Sequence, residues 1–207
     1  MAEKSVVLMG VGDMGPMHDP MDIYGQLAKP ILATADIRFA QAERLYSERG
    51  SLQVHAEIPN ARLKPHMADV FTDCGFDVVS VAGNHALDWG EEAFLDTIDC
   101  LQKRGVQTVG GGRNLAEARR PVVLTRNGLR VAILSYCSIL NEGFAAGPNK
   151  PGIAPLRIHT YYEAVEHQPG IAPRVVTIPY EDDLADMVAD IKAAKQVSDS
   201  VVLSLHW

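Results

Sequence analysis

Five short apolar runs punctuate this chain: Ser5 to Met9, Ile37 to Ala42, Asp77 to Ala82, Val106 to Val109 and Ser200 to His206. Each is long enough for a strand and too short for a buried helix. Between them lie segments with helical punctuation. Pro65 to Cys74 begins with proline in its first turn and stops at Gly75. Glu91 to Arg104 carries an apolar stripe of Ala93, Phe94, Ile98 and Leu101 before Gly105. Asn114 is placed to cap a short helix through Ala118, and Glu181 to Gln196 repeats Leu184, Met187, Val188 and Ile191 at helical spacing. Strands alternating with helices predict an α/β architecture. Pro121 to Leu134 reads as a hairpin turning at Asn127-Gly128.

Two stretches resist either pattern. Gly10 to Pro30 holds three prolines and four glycines and is expected to be a loop over the end of the first strand. From Cys137 to Pro179 six prolines interrupt the chain. That length of irregular backbone inside one domain is expected to form a substrate-side loop, with Lys150, Arg157, His159 and His167 as its candidate contacts. The 207 residues suit a single domain spanning 1–207. The chain stops at Trp207, directly after a strand with no helix to cover it, so the expectation is a domain truncated at its C-terminus.

Charge narrows the partners. Nineteen Lys and Arg stand against 26 Asp and Glu, a net charge of −7. This argues against nucleic acid, because no excess of cations exists to neutralise a phosphate backbone. No apolar stretch approaches the ~20 residues of a membrane-spanning helix, and no cleavable leader is visible, so a cytoplasmic protein without membrane insertion is expected. Cys74, Cys100 and Cys137 lack CxxC spacing and each adjoins an apolar run, which predicts buried free thiols. Oligomeric state has no signature.

The chemistry concentrates where strands end. Asp13 follows the first run, Glu43 the second, Asn84 and His85 the third, and His206 closes the last. Ends of neighbouring parallel strands share one edge of a sheet, so these residues are candidates to converge. Carboxylate and amide oxygens suit hard divalent cations, and imidazole adds affinity for zinc, manganese or iron. Gly10 to Gly15 also fits G-x-G-x-x-G, with Asp36 near the ribose-binding position, which raises a dinucleotide-binding oxidoreductase as an alternative. Pro16, Pro20 and Gly25 argue against the helix that fingerprint needs.

The blocks VLMGVGDMG (Val7 to Gly15), ADIRFAQAE (Ala35 to Glu43), VSVAGNHALDWG (Val79 to Gly90), GGGRNLAEARRP (Gly110 to Pro121), AILSY (Ala132 to Tyr136) and LSLHW (Leu203 to Trp207) resemble, in order, those of the CapA family. That family comprises bacterial capsule and poly-γ-glutamate biosynthesis proteins of the calcineurin-like metallophosphoesterase superfamily. The resemblance implies a β-sandwich flanked by helices, its C-terminal part missing here. It implies Asp13, Glu43, Asn84 and His206 as ligands of a dinuclear site for Mn, Zn, Fe or Mg. His85 would be the general acid, with Asp88 orienting it. The implied activity is metal-assisted hydrolysis, in which the cations lower the pKa of a bound water, of a small molecule or anionic polymer. The alternative is a non-catalytic component that binds or exports such a polymer. Arg113, in Gly110-Gly111-Gly112-Arg113, and Lys150 are candidate substrate-binding residues. Two departures stand out: Gln41-Ala42-Glu43 replaces the family's Asn-Leu-Glu, and no Gly-His-x-His block follows His206.

Overall fold

A computed structural model describes residues 4–19, 23–54, 56, 62–166 and 170–207. Its elements are β1 (Leu8–Met14), α1 (Lys29–Leu32), β2 (Ile37–Ala42), β3 (Leu45–Tyr46), β4 (Arg62–Leu63), α2 (Asp69–Asp73), β5 (Val78–Ser80), α3 (Gly90–Lys103), β6 (Gln107–Val109), β7 (Gly111–Gly112), α4 (Leu115–Ala118), β8 (Val122–Arg126), β9 (Leu129–Cys137), β10 (Gly152–Ile153), β11 (Ile158–Glu163), β12 (Arg174–Pro179), α5 (Glu181–Val197) and β13 (Ser200–His206). The fold is mixed α/β. One four-stranded sheet runs β1-β2-β5-β6, with every neighbouring pair parallel. A second, ordered β13-β9-β8, pairs β13 parallel to β9 and β8 antiparallel to it.

Side-chain alternation explains how the layers stack. In β2, Ile37 and Phe39 join Val78, Val109, Val122, Leu124, Val131 and Ile133 in an apolar cluster drawn from both sheets. Ala40 and Ala42 point the other way, into a cluster with Val70 and Phe71 of α2 and Phe94, Ile98 and Leu101 of α3. In β9, Ala132, Leu134 and Tyr136 alternate with Val131 and Ile133 and pack with Ala194 of α5. Helices therefore cover the outer faces while the two sheets meet between them. At that meeting Ser80 and Ser135, both buried, share a hydrogen bond of 2.8 Å across the sheets.

Local signals account for most boundaries. Asn127 (φ 52°) and Gly128 (φ 76°) supply the left-handed pair of the β8–β9 turn. The Asn114 side-chain oxygen accepts from Glu117 N at 2.9 Å, capping α4. Arg126 Nη2 donates to Asp77 at 2.9 Å and its Nε to Asp36 O at 3.1 Å, fastening the β8–β9 hairpin to the first sheet. All three cysteines are free and buried, and burial pushes the Cys137 thiol up to about 12.

Three expectations need correction. The first strand runs on through Gly10 to Met14, with an irregularity in register between Gly10 and Asp13, so the start of the expected loop is strand. The stretch Cys137 to Pro179 is not irregular throughout: β10 pairs with β7, and β11 with β12 forms an antiparallel arm from Ile158↔Pro179 to Glu163↔Arg174. Pro148, Pro151, Pro155, Pro173 and Pro179 fall at strand ends and connections, where a missing N–H costs little. Finally, α5 buries only Asp183 and Ala194; Leu184 is 38% exposed, and the apolar stripe is half-covered at best. His167 lies outside the described residues.

Candidate metal centre

The site forms where both sheets present their strand C-termini. Asp13 is the penultimate residue of β1, and Glu43 follows β2, its N–H donating to Met14 O at 3.1 Å. Adjacent parallel pairing of β1 and β2 therefore sets these two carboxylates side by side. Past β5 the chain turns at Gly83. A Cβ there would come within 2.9 Å of Gln41 Nε2 and 3.9 Å of Glu43 Oε2, so glycine lets this turn close onto the end of β2. His206 arrives from the second sheet, its carbonyl accepting from Ser138 N at 2.9 Å.

One ligand atom each from Asp13, Glu43 and His206 can lie within 4.8 Å of one another. His206 Nδ1 is 3.8 Å from Asp13 Oδ1, and His206 Nε2 is 3.0 Å from Asn84 Oδ1. With the proton on Nε2, the imidazole donates to the Asn84 amide and turns its Nδ1 lone pair toward Asp13. Asn84, expected as a ligand itself, thereby fixes the orientation of the His206 ring. His85 stands opposite: Nδ1 donates to Asp88 Oδ2 at 2.7 Å, and Nε2 faces Glu43 Oε1 at 3.6 Å. The Asp88 side chain is only 2% exposed, so its bond to His85 is shielded from water.

The donor set fits a divalent cation. Glu43 Oε2 is buried and has no hydrogen-bond partner among the described residues, an arrangement that is costly unless a cation or proton satisfies it. Burial raises the Glu43 carboxyl above its ordinary range and Asp13 adds to this, while His85, His206 and Arg44 oppose it. A cation held by Asp13, Glu43 and His206 would supply that missing positive charge.

Of the residues read from the sequence, Asp13, Glu43, Asn84, His85, Asp88 and His206 come together. Arg113 and Lys150 make other contacts. Arg113 Nη2 pairs with Asp99 at 2.8 Å, and its Nη1 lies 3.9 Å from Glu117. The Lys150 ammonium donates to the carbonyls of Gly143 and Ala145, bracing their loop. That loop borders a cavity of about 450 Å³ lined by Ser138, Asn141, Arg157 and Tyr180. Asp36 accepts from Val7 N at 2.8 Å and from Asn127 Nδ2 at 3.1 Å, a structural clamp. Gly10 and Gly12 lie on β1 and Gly15 just after it, and the first α-helix among the described residues beyond them is the four-residue α1, so no pyrophosphate-binding helix follows the fingerprint among the described residues. Two contributors escaped the sequence reading, Gly83 and Arg44. A basic residue directly after the Glu43 carboxylate was the available signal for Arg44.

The chain belongs to the bacterial capsule synthesis protein PGA_cap family, whose sequence profile matches residues 6–207. It is 27% identical over 184 residues to the PGA biosynthesis protein CapA of Bacillus subtilis, covering 88% of this chain and 41% of that protein. A probable polyglutamine synthesis accessory protein of Mycobacterium tuberculosis is 28% identical over 151 residues, 70% of this chain and 34% of the relative. The capsule biosynthesis protein CapA of Bacillus anthracis is 32% identical over 80 residues, 39% of this chain and 20% of that protein. The chain thus spans well under half the length of these curated relatives.

Proposed function

We propose that this chain carries the metal-binding centre of a divalent-cation-dependent hydrolase of the metallophosphoesterase type, serving capsule or poly-γ-glutamate polymer metabolism. The supporting observation is the convergence of Asp13, Glu43 and His206, with His85 held by buried Asp88 at its edge. Two sheets meeting face to face beneath outer helices agree with the αββα sandwich of that superfamily. A bound divalent cation would polarise a phosphoryl or carbonyl oxygen and make a water acidic enough to act near neutral pH. The chain's own residues have separate tasks. Asp13, Glu43 and His206 hold the cation, Asn84 fixes the His206 ring, and Asp88 fixes the His85 ring so that Nε2 can hand a proton to the leaving group.

Mn²⁺ and Zn²⁺ titration followed by calorimetry and native mass spectrometry tests this reading. Wild type should bind at least one ion, and Asp13→Ala with His206→Ala should bind none. Failure of the wild-type chain to bind either metal overturns the reading. Metal binding without hydrolysis of phosphoester or γ-glutamyl substrates, combined with retained polymer binding, would favour the non-catalytic alternative.

A further inference from the structure

Arg44 follows Glu43 directly, and its side chain lies against Gly15, just past the end of β1 that carries Asp13. A Cβ on Gly15 would sit 2.6 Å from Arg44 Cγ and 3.3 Å from its Nε, so the arginine occupies space that only glycine leaves open. Its guanidinium Nη1 is buried with no hydrogen-bond partner among the described residues. Among the described residues no carboxylate pairs with it. Several other arginines do pair: Arg104 with Asp69, Arg113 with Asp99, Arg119 with Asp190, Arg126 with Asp77 and Arg157 with Asp183.

A guanidinium stays charged at any pH the fold survives, so it cannot escape burial by losing a proton. Leaving Nη1 unpaired costs stability, and among the described residues no carboxylate is bonded to it. Arg44 nevertheless keeps partial exposure, as do Gly15 and Glu43 beside it, while Asp13 is exposed. A partly exposed arginine whose Nη1 has no partner among the described residues, directly after a carboxylate of a cation site, is suited to an anion that bridges the two.

We propose that Arg44 is an anion-binding residue of this centre, taking an oxygen of a ligand's phosphate or carboxylate group while another oxygen of that group faces the Asp13–Glu43–His206 cluster. Gly15 is then required because it gives the arginine its path. The inference rests on reading that cluster as a metal centre, but it makes a separate demand on Arg44.

The test is calorimetric titration of the 207-residue chain, metal-free and with Mn²⁺, using inorganic phosphate in one arm and glutarate in the other. Arg44→Gln should weaken binding of the preferred anion about tenfold or more, with Mn²⁺ affinity changed less than threefold. Arg44→Lys should fall between, since a point charge cannot reproduce the planar fork. Gly15→Ala should weaken the anion with the arginine still present, which guards against a fold lost through the charge change itself. Tighter binding of phosphate would identify a phosphoester-type ligand, and of glutarate a carboxylate-bearing one; either supports the proposal. Equal anion affinity in wild type and Arg44→Gln overturns it, as does absence of binding by both anions to the wild-type chain. Should Mn²⁺ fail to bind, the metal reading falls, and the metal-free titrations still decide the role of Arg44.

Discussion

The strand-end cluster and the β11–β12 arm are both made of extended chain, yet they are supported in opposite ways. Behind Glu43 and Asn84 stand β2 and β5, covered on both faces: Ile37, Ala40, Val78, Val79 and Ser80 are each 0% exposed. The arm buries almost nothing, with Tyr162 at 72%, Val175 at 57% and Tyr161 at 53% exposed. It is held at its base, where Arg157 pairs with buried Asp183 at 2.6 Å and His159 stacks on Tyr180 at 4.1 Å between ring centres. Its own backbone ladder does the rest. Catalytic geometry tolerates little displacement, and only the first region has packing dense enough to hold its side chains still. A two-stranded ribbon in water is at best marginally stable.

Replacements in the two regions should separate them. The largest effect belongs to the cluster: His85→Ala should lower turnover by about 10²–10⁴-fold with metal content retained, read by steady-state kinetics beside metal analysis. Loss of metal together with activity would instead make His85 a ligand. Next comes the frame beneath. Phe71 is 0% exposed and meets Tyr46 edge-on at 5.5 Å, so Phe71→Ala should cost about 3–5 kcal/mol in urea unfolding. A loss under about 1 kcal/mol would show that this core is not as tightly packed as its burial indicates. Asn114→Ala removes the α4 cap and should cost about 1 kcal/mol by the same measurement. The smallest effect should come from the arm: Tyr162→Ala should stay within about 0.5 kcal/mol of wild type. A larger loss there would mean the arm is coupled to the core and would erase the contrast.

Much of the cluster was legible because each of its residues closes or follows an apolar run that could only be a strand. The exact match of β2 and β13 to their sequence patterns reflects clear alternation and abrupt ends. The arm was not legible. Tyr161 and Tyr162 are adjacent, so their side chains point to opposite faces, and both faces are exposed; without a buried face no period-2 pattern marks the strand. Helix α5 erred in the other direction. Its spacing was correct, yet β13 and β9 offer its stripe only a narrow seam through Ala194, Met187 and Ile191. Periodicity shows which face a helix can bury and leaves open how much sheet lies beneath it.

Local backbone preference and side-chain period account for the order and type of the main elements, the turn at Asn127-Gly128, the cap at Asn114 and the residue types at each strand end. Tertiary structure alone decided that Asp13 and His206, from opposite ends of the chain, face each other at 3.8 Å. It decided equally that Asn84 turns to His206, that Asp88 is buried against His85, and that Arg44 Nη1 is buried with no partner among the described residues. The physical reason is one of range: local preferences act over a few residues, whereas these contacts exist only after two sheets close face to face and bring their strand ends to a common edge.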